Sequence, residues 1–225
     1  MFPIRSHFNR RNKKSLNEAR EPSPCFPSQG ALALLKFQLF IKRCLDIFFS
    51  LILLILLTPL WIIIPILIKS DSSGRVIYTQ KRVGINSGFF TIYKYRTMKE
   101  GTPDIPTDKV SNPTKLVTKV GSFLRRTSID EIPQLINILK GQMSFIGPRP
   151  ALYNQPGLIS LRKEKGADIM RPGITGLAQV SGRDELQIPV KVKYDKKYID
   201  NFSLINDFKI LFITVRAVLT AKGNR

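Results

Sequence analysis

Between Asp46 and Lys69 the chain carries no charged side chain, and most of that run is Ile, Leu and Phe. As one straight helix residues 47–68 would be about 33 Å long, the length of a bilayer crossing. The run begins too far from the N-terminus, and is too long, for a cleaved signal peptide, so it belongs to the mature protein. Lys36, Lys42 and Arg43 precede it, and Lys69, Arg75, Lys81 and Arg82 follow it, so the preference for cytoplasmic cations pulls on both ends. Thr58-Pro59 lies near its middle. Proline removes a helix hydrogen bond and clashes with the preceding turn, while the Thr58 hydroxyl can bond back to the helix and deepen a bend. On the residues alone a kinked crossing helix is the expectation, since proline is common in crossing helices and long loops translocate despite charge, with a helix that enters and returns as the alternative. Residues 1–30, basic and proline-containing, read as a disordered tail. Residues 31–69 read as an amphipathic helix running into the membrane element, and 70–225 as a cytosolic domain.

That domain has little catalytic vocabulary to choose from. The chain's one histidine, His7, lies in the tail, which excludes Ser-His-Asp and Cys-His catalysis from the main body along with most zinc sites. Cys25 and Cys44 form neither a redox motif nor a disulfide framework. Acid, base and nucleophile roles fall to carboxylates, Lys and Tyr. With 36 Lys and Arg against 16 Asp and Glu, the net charge of +20 calls for an anionic partner: nucleic acid, acidic lipid or a phosphorylated substrate. The basicity is spread over both sides of the apolar run and no nucleic-acid motif accompanies it, so nucleic acid is not expected.

The fold class expected is α+β, mostly helical with a small β-hairpin. Val76–Thr79 and Phe89–Lys94 are short β-prone runs around Gly84, Asn86 and Gly88. Residues 100–114, with three prolines, read as a loop and potential lid. Helices are expected over 116–126, over 133–140 and over 203–221, the last with apolar residues at helical spacing.

The densest chemical signal is Arg125-Arg126-Thr127-Ser128-Ile129-Asp130-Glu131-Ile132-Pro133-Gln134. The bland account is helix capping, by Asp130 or by a Ser128 and Glu131 box, because Pro133 fits only a first helical turn. The same physics would keep a carboxylate ionised as a nucleophile or metal ligand. Gly147-Pro148-Arg149-Pro150 presents one guanidinium on a rigid turn. Arg171-Pro172-Gly173-Ile174-Thr175-Gly176, continuing to Gly182-Arg183, gives backbone N–H groups room to reach phosphate oxygens, although glycine-rich loops are common. Gln80-Lys81-Arg82-Val83-Gly84 and Tyr93-Lys94-Tyr95-Arg96-Thr97-Met98 bring further cations, which would equally suit a solvated or headgroup-binding face.

In this order the motifs resemble the bacterial sugar transferase family, the monotopic polyprenyl-phosphate phosphoglycosyl transferases, over roughly residues 40–220. The match rests on Lys42-Arg43 with Asp46, Thr58-Pro59, the two basic strings, residues 128–135, the segment from Lys140-Gly141-Gln142-Met143 through Gly147-Pro148-Arg149-Pro150, and residues 171–176. The resemblance implies transfer of a sugar 1-phosphate from a nucleoside diphosphate sugar to a polyprenyl phosphate at the cytoplasmic face of the bacterial inner membrane. It implies Asp130 as nucleophile and Mg²⁺ ligand and Glu131 as an aid to the acceptor phosphate. Arg125, Arg149, Arg171, Arg183, Lys94 and Arg96 become candidate phosphate-binding groups, and Thr58 and Pro59 mark the bend of a re-entrant helix, with Thr58 standing where the family usually has Ser. UDP is the usual carrier and undecaprenyl phosphate the usual acceptor. Membrane lipids are expected partners, self-pairing is left open, and an inactive scaffold that binds lipid phosphate or nucleic acid is the competing reading.

Overall fold

The computed structural model describes residues 29–102, 116–182 and 186–220. The chain divides into two units, Met1–Phe37 and Gln38–Arg225. Among its described residues the first unit holds the opening turns of helix α1, and every other described element belongs to the second. The expected disordered tail and most of the expected lid loop lie outside the described residues.

Helix α1 spans Gln29–Leu56 and α2 spans Thr58–Asp71. Pro59 occupies the first turn of α2, where a missing N–H costs nothing. The Thr58 hydroxyl donates to the Ile55 carbonyl at 2.7 Å and to that of Leu54 at 3.2 Å. The two helices are bent by 63°, and among the described residues no single helix is long and apolar enough to cross a membrane. The bend expected from Thr58-Pro59 is therefore present. Both arms lean on the body: Leu53, Leu54 and Leu57 against Phe90, Ile92 and Leu135, and Ile64 and Ile68 against Tyr95 and Leu124. The outer faces leave Phe48, Leu51, Ile55, Ile62 and Ile66 exposed.

Strands β1 (Ile77–Val83) and β2 (Phe89–Tyr95) form the hairpin, with Gln80 opposite Ile92 and Arg82 opposite Phe90. β1 is longer than the sequence suggests, because Gln80 and Val83 face the interior while Lys81 stays outside. Helix α3 (Lys119–Thr127) starts later than expected: Thr118 caps it by accepting from Gly121 N at 3.0 Å, and Val117 bridges to Met98. A short α4 (Gln134–Leu139) follows. Helices α5 (Pro156–Glu164), α6 (Leu177–Gly182) and α7 (Ile188–Asp200) have no counterpart among the helices expected from the sequence, whereas α8 (Leu204–Leu219) does, capped by Ser203.

A second, parallel pair joins β3 (Ser144–Ile146) to β4 (Gly173–Thr175). Here the glycines differ from expectation. Gly147 N donates to Thr175 O at 2.9 Å and Gly173 N to Pro148 O at 3.0 Å, so these N–H groups are spent inside the protein rather than offered to phosphate. A Cβ on Gly147, Gly173 or Gly176 would overlap the backbone of the opposite segment. The glycines allow two main chains to touch, which fixes the start of the Gly147–Pro150 turn.

Gly173→Ala should therefore destabilise the protein by about 3 kcal/mol or prevent folding, read as a lowered melting temperature of detergent-solubilised protein. An unchanged melting temperature would contradict this packing.

Candidate active site

Ser128, at φ 58 and ψ 16, ends α3 in the left-handed region. The chain then makes one 3₁₀ turn, Ile129–Glu131, before Pro133 leads into α4. No side-chain cap serves α4 or this turn, so the capping account of Asp130, Ser128 and Glu131 does not hold. The reason is local: Ile132 and Pro133 are themselves in helical conformation, which leaves no extended residue from which a side chain could reach back to the helix N–H groups. Both carboxylates are thereby released to the site.

Their surroundings separate them. Lys94 Nζ donates to Glu131 Oε1 at 2.6 Å, and Arg149 Nη2 lies 3.5 Å from the same oxygen. Asp130, 8% exposed, makes no hydrogen bond to a described side chain. Burial pushes the Asp130 carboxyl up to about 6; the charge of Glu131 adds to this, and Lys94, Arg125 and Arg149 oppose it. Burial acts upward on Glu131 as well, but Lys94 and Arg149 outweigh it and hold that carboxyl down at about 2. One carboxylate is thus firmly ionised and clasped, while its neighbour is near the point of gaining a proton.

Arg82, Ile92, Lys94, Glu131, Gln134, Arg149 and Pro150 line a recess of about 200 Å³. Arg82 and Lys94 share the face of the hairpin that carries Phe90 and Ile92, as strand alternation requires. The Gly147–Pro150 turn is held by two guanidiniums. Arg82 Nη1 donates to Pro150 O at 3.0 Å, and Arg162 Nη1 donates to Arg149 O at 2.9 Å. Arg162 is oriented in turn by Asp195, which accepts its Nε and Nη2 at 2.9 and 2.6 Å.

Of the residues expected at the site, Asp130, Glu131, Lys94, Arg149 and Arg125 are brought together. Arg125 lies near Asp130, with Nε bonded to Thr97 Oγ1 at 2.8 Å. Arg96 points elsewhere: it donates to Ser72 O at 2.7 Å and to the Ser73 carbonyl, tying down the exit of α2. Arg171 donates to Gly141 O at 2.8 Å, beside Arg43 rather than in the recess. Arg183 lies outside the described residues. The sequence pattern assigned no role to Gln134, Arg162 or Asp195, and gave Arg82 only as one cation of a basic string that equally suits a headgroup-binding face. For Arg82 the alternation of β1 was the available signal, whereas the partnership of Arg162 with Asp195 joins two helices that carried no signal.

The site is thus a carboxylate pair ringed by cations, on a body that carries a bent apolar helix pair. The model of the bacterial sugar transferase family matches residues 37–221, and the chain belongs to that family. It is 36% identical over 205 residues to the exopolysaccharide production protein ExoY of Rhizobium meliloti, covering 81% of this chain and 87% of that one. It is 37% identical over 205 residues to the undecaprenyl-phosphate galactose phosphotransferase of Salmonella typhimurium, covering 82% of this chain and 41% of the relative. It is 40% identical over 184 residues to the UDP-glucose:undecaprenyl-phosphate glucose-1-phosphate transferase of Klebsiella pneumoniae, covering 77% and 39% respectively. The chain thus spans less than half the length of the last two relatives.

Lys94→Met should cost about 2–3 kcal/mol of stability at neutral pH by leaving Glu131 short of a partner. Because the folded protein holds Glu131 below its ordinary value, its contribution is complete above about pH 4.5 and fades towards about pH 2. The gap in melting temperature between variant and wild type should accordingly narrow below about pH 4.5. A gap independent of pH would argue that Lys94 acts by packing alone.

Proposed function

We propose that the protein moves a sugar 1-phosphate from a UDP-sugar to undecaprenyl phosphate on the cytoplasmic face of the bacterial inner membrane, the first step in building an exopolysaccharide or related glycan. The observation that carries this reading is the unshared Asp130 carboxylate beside the Lys94-Glu131-Arg149 cluster, in a family whose named relatives act on undecaprenyl phosphate.

An Asp130 oxygen attacks the sugar-bearing phosphorus. A bond forms from the carboxylate to phosphorus, the bond from that phosphorus to the bridging oxygen breaks, and the nucleoside monophosphate leaves with the electron pair. The lipid phosphate then attacks the same phosphorus, the acyl phosphate bond breaks, and Asp130 returns as a carboxylate. A phosphate dianion needs no base, which suits a site without histidine. Lys94, Arg149 and Arg125 spread the charge that builds on the equatorial oxygens. Glu131, ionised and clasped by Lys94, serves in this account to aim Lys94 and Arg149 rather than to take a proton.

Mg²⁺ fits the residues present. It takes one or two protein carboxylates and fills its shell with substrate phosphates and water. Asp130 has a carboxylate not committed to any described side chain, and no group of three His, Cys, Asp or Glu exists among the described residues to favour a caged metal instead. Asp130 together with the diphosphate would hold it, and when bound it would neutralise phosphate charge.

Asp130→Asn should lower turnover about a thousandfold or more, measured as UMP release with Mg²⁺, undecaprenyl phosphate and a panel of UDP-sugars. Its melting temperature at neutral pH should be equal to or above that of wild type, since burying the ionised carboxylate opposes folding. Wild-type kcat/KM for the UDP-sugar, which reports the free enzyme, should rise with pH through about 6 and level off above about 7 as Asp130 loses its proton. Full activity in a folded Asp130→Asn protein would refute the nucleophile assignment, as would a flat rate between about pH 5 and 8.

A further inference from the structure

Helix α4 buries two side-chain amides on one face, and the protein treats them differently. Asn137, fully buried, is completely used: Nδ2 donates to Thr91 O at 2.7 Å and to Gln142 Oε1 at 2.8 Å, while Oδ1 accepts from Tyr93 N at 3.1 Å. It stitches α4 to β2. Gln134, one turn earlier and 1% exposed, turns its Nε2 towards Glu131 and helps hold that carboxyl down, yet this buried amide nitrogen, with two N–H bonds to place, reaches no acceptor in hydrogen-bond geometry among the described residues. A buried donor without an acceptor costs about 1–3 kcal/mol, and native proteins rarely leave one unexplained. Support of Glu131 occupies at most one of the two N–H bonds, so it does not by itself account for the buried donor.

What distinguishes Gln134 is where it lies. It lines the recess formed by Arg82, Lys94, Glu131 and Arg149. Three cations against one ionised carboxylate leave that recess positive, so an anion with several acceptor oxygens is the ligand that suits both the charge and the spare N–H. We infer that Gln134 is a substrate-binding residue whose Nε2 donates to a non-bridging phosphate oxygen of the bound substrate, completing with Lys94 and Arg149 the cradle beside Asp130. The inference rests on the phosphoglycosyl transferase reading and goes beyond it by assigning a neutral donor to the phosphate. A neutral amide at this point adds direction without a further positive charge. It can bond an oxygen that the two cations approach from other sides, and it stays a donor at every pH where the enzyme works.

The test compares full-length wild type, Gln134→Met and Gln134→Leu in detergent with Mg²⁺, undecaprenyl phosphate and the UDP-sugar panel. Both variants should keep or raise the melting temperature while kcat/KM falls about 10- to 100-fold. A KM increase confined to the UDP-sugar would place the bonded oxygen on the donor, and one confined to undecaprenyl phosphate would place it on the acceptor. Activity within about twofold of wild type would overturn the inference, as would a melting temperature several degrees lower in both variants together with lost activity, which marks a structural amide. Should wild type release no UMP from any donor, the transferase reading fails by itself. Calorimetric binding of inorganic diphosphate to wild type and Gln134→Met then decides the site: weaker binding by the variant supports it, and equal binding overturns it.

Discussion

Two charges buried on one face of α1 decide how the apolar helix pair is attached. Lys42 and Asp46 stand four residues apart, hence on the same side of the helix, and both are almost inaccessible. Unpaired, each would be prohibitively costly. Asp46 accepts from Ser144 Oγ and from Phe145 N, both at 3.1 Å, while Lys42 pairs with Asp207 of α8, which also accepts from the Tyr198 hydroxyl at 2.8 Å. Burial pushes Asp207 up in spite of its bonds to Lys42 and Tyr198, and pushes Tyr198 up together with the neighbouring Asp207 carboxylate. β3 is held by Asp46 and, at its far end, by the Tyr198 hydroxyl, which lies 3.4 Å from Ile146 O, and its next residues are Gly147-Pro148-Arg149-Pro150. The guanidinium beside Glu131 is therefore placed by a chain of satisfied buried polar groups that starts on the membrane-type helix.

The acid pair shows how adjacent residues acquire different chemistry. Both carboxylates descend from one turn of backbone made available by the left-handed Ser128 and by Pro133. Lys94 reaches only Glu131 with a hydrogen bond, so the positive charge is delivered to one side chain and felt by the other at a distance. A single lysine on β2 thus fixes the ionisation of Glu131 and leaves Asp130 free of a tight partner. The attack proposed for Asp130 would need that freedom, because a carboxylate held in a short ion pair is a weaker nucleophile.

Much of this was legible in the sequence, and what was not has physical reasons. The bend at Thr58-Pro59 could be read because proline acts locally. The hairpin and α8 could be read because period-2 and period-3.6 patterns survive where one face is buried. Asp130, Glu131, Lys94 and Arg149 were found as motif members, but only the structure shows that Arg96 and Arg171 serve carbonyls at the ends of α2 and α4. A basic residue near a motif reads the same whether it meets a phosphate or a helix C-terminus. The glycines at 173 and 176 misled for a related reason: close approach of two backbones and close approach to phosphate require the same missing Cβ. The β3–β4 pair was invisible because strands of three residues leave no periodicity to detect.

The attachment of the helix pair also bears on topology. Asp46 ties the start of the apolar run to β3. Its end is tied as well: Asp71 accepts from Val120 N at 2.8 Å at the start of α3, and Arg96 grips the carbonyls of Ser72 and Ser73. Both anchors belong to one folded body. A crossing would carry one of them across about 30 Å of hydrocarbon and leave its buried partners unsatisfied. Helix α2, at about 21 Å, is too short to make the journey alone. A bilayer that took up the exposed faces of Ile55, Ile62 and Ile66 with these anchors intact would meet a segment that enters and leaves on the same side. For the reaction proposed above, that arrangement would keep Asp130 on the side where a water-soluble nucleotide sugar and a lipid phosphate can meet.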